Sequence, residues 1–249
     1  MKLYNSIKKR IDRLTQVRFD KGSGFYRHER FGKYVYIRHP KHLAKESDIL
    51  WVCENLFFHH YLPTNDDVIV DLGVGYGDEA IYIASKSSGV TYIGVEAQPV
   101  IFECLANTFS QLGDKFIASP YAITDAEKVK FVSHFSYAAV GEIPQGYIEV
   151  PTMKWEDFLQ RYKIKKIDLF KMNIEGAEKE ILQGIKNFSF IKRFIISCHD
   201  FRAENGDGEW FRTKETVTTI LKKNGYTIKP FNYGIDFADD WVYAEQVDL

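Results

Sequence analysis

The stretch "VIVDLGVGYGDEA" (residues 68–80) ends a short apolar run with an acid, Asp71, and then places Gly73, Gly75 and Gly77 at every second position. So short and continuous an apolar run fits a strand buried on both faces. Glycine takes left-handed backbone without steric cost and lets a ligand approach the chain closely. "DEAIYIASKSSG" then has helical character up to Gly89, so the turn leads into a helix N-terminus with unpaired N–H groups. Strand, glycine turn and helix form the opening unit of an open parallel sheet, whose ligands bind outside the carboxyl ends of the strands.

Working outward, the rhythm repeats. "VTYIGVE" reads as a second buried strand. "PVIFECLANTFSQLG" reads as a helix with Pro99 in its first turn and Gly113 at its end, and "KFIASPYAI" as a third strand. Residues 126–151 interrupt the alternation. They lack a helical period, carry Phe131, Phe135, Tyr137 and Tyr147, and read as an extended excursion or hairpin. "WEDFLQRYK", "GAEKEILQGI" and "TKETVTTILKKNGY" then read as helices, "KIDLFKMNI" and "RFIISCHD" as strands, and "YTIKPF" with "DWVYAEQV" as a terminal hairpin at one side of the sheet. The alternation predicts an α/β fold with a mostly parallel sheet covered by helices on both faces.

Upstream, residues 1–62 read as a helix, a hairpin ("GFYRHERFGKYVYIRH") and a second helix ("AKESDILWVCENLFFHHYL") ending before Pro63, all packed on an α/β domain spanning 63–249. In the first helix Leu3, Ile7, Ile11 and Leu14 share one face, with Lys8, Lys9, Arg10 and Arg13 between them. That pattern suits packing on the domain or on a second subunit, as in a homodimer, or weak contact with an anionic membrane surface.

The 249 residues are 45% apolar and carry a net charge of −1. This suits one sizeable domain with small additions, and no basic face points to nucleic acid. The three cysteines form no C-x-x-C pair and suit reduced thiols. With no long apolar run, a cytoplasmic protein is the expectation.

The ligand of the glycine turn follows from charge. Dinucleotide sites use G-x-G-x-x-G with a pyrophosphate on the helix start. Here the spacing is G-x-G-x-G, and Asp78 at the helix start would repel a pyrophosphate. S-adenosylmethionine has no phosphate and brings a sulfonium and an ammonium, for which acids near the turn are suitable. Glu96, at the end of the second strand, can accept from two ribose hydroxyls. The readings are therefore S-adenosylmethionine, held by Asp71, Gly73, Gly75, Gly77 and Glu96, ahead of a nicotinamide dinucleotide.

"DLFKMNIEGAEKEIL" sets Lys171, Asn173 and Glu175 at alternate positions around another strand end. Lys171 and Glu175 can pair with each other, or one of them can meet substrate. Together "DLGVGYG", "VEAQP", "VPTMKWEDFL", "KMNIEGAE" and "ISCHD" resemble the FkbM family of S-adenosylmethionine-dependent methyltransferases, from about Tyr34 to Tyr243. The resemblance implies a seven-stranded class I methyltransferase fold with an antiparallel terminal strand. It also implies O-methylation of a sugar, glycan or secondary-metabolite hydroxyl. Asn173 stands where the family usually has Asp, so it keeps an acceptor oxygen without the charge of a base.

His199, after the "RFIISC" strand, is the candidate base, with Lys171, Asn173 and Glu175 beside it. Asn173, Glu175, His199 and Asp200 also form a candidate oxygen-rich set for a magnesium or manganese ion. Acceptor contacts are expected from Asp200, Arg202, Trp210 and Arg212 in the loop "HDFRAENGDGEWFRT", and from His134 and Tyr137 in the excursion. His28, His39, His42, His59 and His60 have weaker claims. Methylation of RNA or peptide, and cofactor binding without catalysis, stand as alternatives.

Overall fold

The computed structural model describes residues 16–126, 129–132 and 147–246. Strands β1 (Arg18–Asp20), β2 (Phe25–Arg30) and β3 (Lys33–Ile37) form a small antiparallel sheet, with Phe31 and Gly32 turning the β2–β3 hairpin. A 3₁₀ turn (Pro40–His42) leads to helix α1 (Glu46–Val52). The long helix expected up to Leu62 does not persist. It widens into a π turn (Cys53–Phe57) that puts Cys53, Leu56 and Phe57 all into the core.

From there the sheet builds as β4 (Val68–Leu72), α2 (Asp78–Lys86), β5 (Thr91–Val95), α3 (Pro99–Phe109) and β6 (Phe116–Ser119). The third strand is shorter than its sequence suggests, because Pro120 lacks the N–H needed to extend the ladder. Its continuation, β7 (Ala122–Ile123), leaves the main sheet and pairs with β10 (Thr152–Met153). The excursion contains β8 (Val129–Val132) paired antiparallel with β9 (Tyr147–Val150). His134 and Tyr137 lie outside the described residues, as do Leu3, Ile7, Ile11 and Leu14. Then follow α4 (Trp155–Arg161), β11 (Leu169–Met172), α5 (Glu178–Gly184), β12 (Arg193–Ser197), α6 (Asp200–Glu204), α7 (Lys214–Lys223), β13 (Tyr226–Pro230), α8 (Asp236–Asp239) and β14 (Trp241–Gln246).

The main sheet has seven strands in the order β13-β14-β12-β11-β4-β5-β6. β12, β11, β4, β5 and β6 are mutually parallel, and β14 runs antiparallel between β12 and β13. The terminal hairpin is therefore at one side of the sheet, as expected, with its last strand inserted inside its first.

Period-2 alternation sends neighbouring residues to opposite cores. Leu169 and Ile195 pack with α2 and α3 residues such as Ile83 and Leu105. Phe170, Phe194 and Ile196 pack on the other side with Phe158, Leu182 and Leu221 from α4, α5 and α7. The sheet is thus covered on both faces, as continuous apolar strands require. Among the described residues no helix is long and apolar enough to cross a membrane.

Candidate cofactor and acceptor site

Sheet order brings the two strand-end motifs together. β4 and β11 are adjacent, with Asp71 in register with Lys171. The Asn173 N–H donates to Leu72 O at 2.9 Å. Gly73, at φ +80°, passes so close to the second turn that a Cβ there would lie 2.1 Å from the Asn173 carbonyl oxygen. Gly75, at φ +59°, faces open space instead. A cavity of about 980 Å³ opens above this junction, with Gly73, Gly75, Glu96, Asn173, Glu175 and Trp210 among its lining residues.

Glu96 is held at the cavity wall by its neighbours. Its Oε2 accepts from the Gly75 N–H at 3.1 Å and its Oε1 from the Gln98 N–H at 2.8 Å. Burial nevertheless outweighs these bonds and pushes its carboxyl up to about 7.

Asp71 departs from its expected role. It is 0% exposed and Lys171 1%, and neither lines the cavity. The Lys171 ammonium donates to Asp71 Oδ1 at 2.9 Å and sits 4.6 Å from the centre of the Phe57 ring, while the Tyr92 hydroxyl donates to Asp71 Oδ2 at 2.5 Å. Lys171 therefore pairs with Asp71, its cross-strand neighbour, and not with Glu175. The pair lies under the glycine turn and fastens β4 to β11.

The second turn is built around charge. Glu178, at the start of α5, accepts from the Ile174 N–H at 3.1 Å and the Gly176 N–H at 3.0 Å. Glu175 and His199 both sit in left-handed backbone at φ +56°. The buried His199 ring lies between two carboxylates: Nε2 is 3.4 Å from Glu175 Oε1 and Nδ1 is 3.2 Å from Glu178 Oε1. Arg202 Nη1 donates to Glu175 Oε2 at 2.5 Å. Burial alone would hold His199 neutral, but the carboxylates raise its pKa to about 9. Burial likewise opposes ionisation of Glu175, yet His199 and Arg202 hold its carboxyl below the usual range.

Over residues 71–228, more than half of its length, the sequence matches the methyltransferase FkbM domain. The chain belongs to the FkbM methyltransferase family.

As a member of that family it is an S-adenosylmethionine-dependent methyltransferase. Several solved structures are similar to it, the first of them in fold. A fibrillarin/Nop5p complex is 14% identical, with 93% of this chain and 97% of that chain covered and a TM-score of 0.50. The METTL16 methyltransferase domain is 15% identical, with 96% and 89% covered and a TM-score of 0.49. Aeropyrum pernix fibrillarin, solved with natively bound S-adenosyl-L-methionine, is 14% identical, with 76% and 70% covered and a TM-score of 0.42. Among curated proteins none matches the chain significantly.

The site of this FkbM methyltransferase fits the family's cofactor. A left-handed glycine with open space above it allows close approach, and a carboxylate stands at the neighbouring strand end. If Glu96 accepts from both ribose hydroxyls, as its place at the strand end predicts, it must be ionised to do so. The expected result is then that S-adenosylhomocysteine affinity falls by about fivefold between pH 7 and pH 6. Titration calorimetry should show this slope flattened in Glu96→Gln.

The candidate metal set does not assemble. Asp200 Oδ1 accepts from the Thr213 and Lys214 N–H groups at 2.8 and 3.0 Å, where α7 begins. His199 is occupied by its two carboxylates. Among the described residues no group of three or more His, Cys, Asp or Glu side chains is placed to hold a metal ion. His199 also fails as the expected base. It does not line the cavity, and a ring protonated at neutral pH has no lone pair to take a proton.

His199 instead contributes stability, with a definite sign. Its pKa is raised on folding, so the contribution is fully present below about pH 6.5 and is lost as pH rises through about 9. That rise corresponds to roughly 3–4 kcal/mol. The melting-temperature gap between wild type and His199→Gln should therefore shrink from pH 6 to pH 9.5, and a constant gap would contradict the charged arrangement.

Of the expected acceptor contacts, Trp210 lines the cavity. Arg202 instead reaches Glu175 and Asp207 and stacks on Phe211. Arg212 pairs with Glu209 at 2.9 Å, away from the cavity. The structure adds residues that no local pattern marks. Lys41 and His42 reach the cavity from the 3₁₀ turn, and the His42 ring stacks on Tyr76 with Nδ1 2.7 Å from its hydroxyl. Burial and neighbouring Lys41 hold His42 below the usual histidine pKa, hence neutral near pH 7. Asp78 and Glu79 line the same cavity.

Proposed function

We propose that this methyltransferase acts on oxygen, at a hydroxyl of a sugar, glycan or similarly polar small acceptor. The observation that carries the proposal is Glu175, a carboxylate held ionised at the cavity wall beside Asn173. The cofactor supplies a methyl group as a sulfonium electrophile. Glu175 accepts the hydrogen bond of the acceptor hydroxyl and takes its proton as the new O–C bond forms. Its lowered pKa makes it a weak base toward a free alcohol. The hydroxyl becomes far more acidic as its oxygen is alkylated, so position matters more than basicity.

Asn173 suits the neighbouring role. Its amide can both donate and accept, and it does not compete for the proton. Trp210 lines the cavity, is 46% exposed, and sets its indole against the backbone of Gly208, where a Cβ would meet the ring. Such a face suits the apolar side of a sugar ring. The net charge of −1 supports a small acceptor over RNA.

The test is transfer from labelled S-adenosylmethionine to a panel of glycosides, polyols, hydroxylated aromatics, amines and RNA. Base-stable methyl ethers on a hydroxylated acceptor are expected. Label found only on nitrogen or in RNA would overturn the reading.

A further inference from the structure

We infer that the N-terminal sheet completes the cofactor's amino-acid pocket: Arg30 fixes the Asp78 carboxylate at the cavity wall, and Asp78 takes the α-ammonium of S-adenosylmethionine. The inference rests on the family's cofactor and goes beyond it to the residues that hold one end. Two acids flank the glycine turn, and the structure separates their roles. Asp71 is sealed below the turn by Lys171 and Tyr92, so it has no oxygen to offer a ligand. Asp78, the first residue of α2, lines the cavity with its side chain 16% exposed.

Arg30 is the unusual partner. It ends β2, outside the α/β domain, yet it is 1% exposed. Its Nη2 donates to Ala44 O at 3.0 Å, on the segment that carries Lys41 and His42 to the same cavity, and its Nε lies 2.8 Å from Asp78 Oδ1. Burial pushes the Asp78 carboxyl up, and the adjacent Arg30 guanidinium opposes that push, as a second cation from the cavity side would. One oxygen faces Arg30, which leaves the carboxylate able to bridge to a second cation from the cavity side. Glu79 is the competitor. It lines the cavity too, but the cation beside it is Lys171 beneath the turn, with Asp71 and Asp78 as its acidic neighbours.

Two ligands separate this role from general damage. S-adenosylhomocysteine has the amino-acid end, whereas 5′-methylthioadenosine keeps the nucleoside and thioether without it. By calorimetry, Asp78→Asn should weaken S-adenosylhomocysteine about 10–100-fold and change 5′-methylthioadenosine by less than about twofold. Arg30→Met should show the same selectivity. If a single variant fails to fold, Arg30→Met/Asp78→Asn leaves no lone buried charge and carries the same comparison. Unchanged S-adenosylhomocysteine binding, equal loss of both ligands, or selective loss in Glu79→Gln with none in Asp78→Asn would each overturn the inference while leaving the cofactor in place. Wild-type protein that binds neither ligand would overturn the cofactor reading, and this inference with it.

Discussion

Glu175→Gln is expected to lower turnover by about 10²–10⁴-fold while leaving S-adenosylhomocysteine affinity within a factor of about two. Glutamine keeps the shape and an acceptor oxygen, so the acceptor can still dock. What it loses is the negative charge that, in the proposed role, receives the proton and balances the positive charge developing on the acceptor oxygen. Arg202 and His199 stay behind as two cations facing a neutral amide. Some loss of thermal stability should accompany the change, and single-turnover rates at a temperature well below melting separate that from chemistry. His199→Gln should have a smaller effect on turnover, because it acts only through the placement of Glu175. Turnover unchanged in Glu175→Gln would remove Glu175 as proton acceptor. A neutral His42 would then be the next residue to test on the cavity wall.

The same network shows what could be read from sequence and what could not. The strands, their parallel order and the ligand end of the sheet follow from short apolar runs punctuated by glycine and proline, because those signals are local. The place of Glu96 at the cavity wall was legible for the same reason: it follows a strand end, and strand ends face the cavity. The partner of Lys171 was not legible locally. Sequence spacing offers Glu175, four residues away, whereas the real partner is Asp71, which becomes its neighbour only when β4 and β11 align in register. His199 was placed at the right sheet edge, yet its chemistry is set by Glu175 and Glu178 on another loop, which raise its pKa instead of leaving it free. His42 reaches the cavity, and Arg30 reaches Asp78 on its wall, through packing of the N-terminal sheet on the turn and on α3, where the Tyr36 N–H donates to Thr108 Oγ1 at 3.1 Å. No period or motif in the chain announces such a contact.

Lys171→Met should be the most damaging single substitution for stability, at roughly 3–5 kcal/mol. In a chain of this size that lowers the melting temperature by on the order of 10 °C. Both partners are fully buried, so removing the ammonium leaves Asp71 with the Tyr92 hydroxyl as its remaining polar side-chain contact. Burial also pushes nearby Glu79 up to about 7, and the positive charge of Lys171 opposes that push. Loss of the lysine therefore makes two carboxylates harder to keep ionised in one buried region. Methionine fills much of the same volume against Phe57, so the cost is electrostatic and not that of a cavity. Asp71→Asn/Lys171→Met removes both charges and should recover most of the loss. Denaturant unfolding of the two single variants and the double variant closes a cycle whose coupling term measures the pair. A Lys171→Met protein that melts within about 2 °C of wild type would mean the pair adds little net stability. The glycine turn would then owe its position to the Gly73–Asn173 contact and the β4–β11 ladder alone.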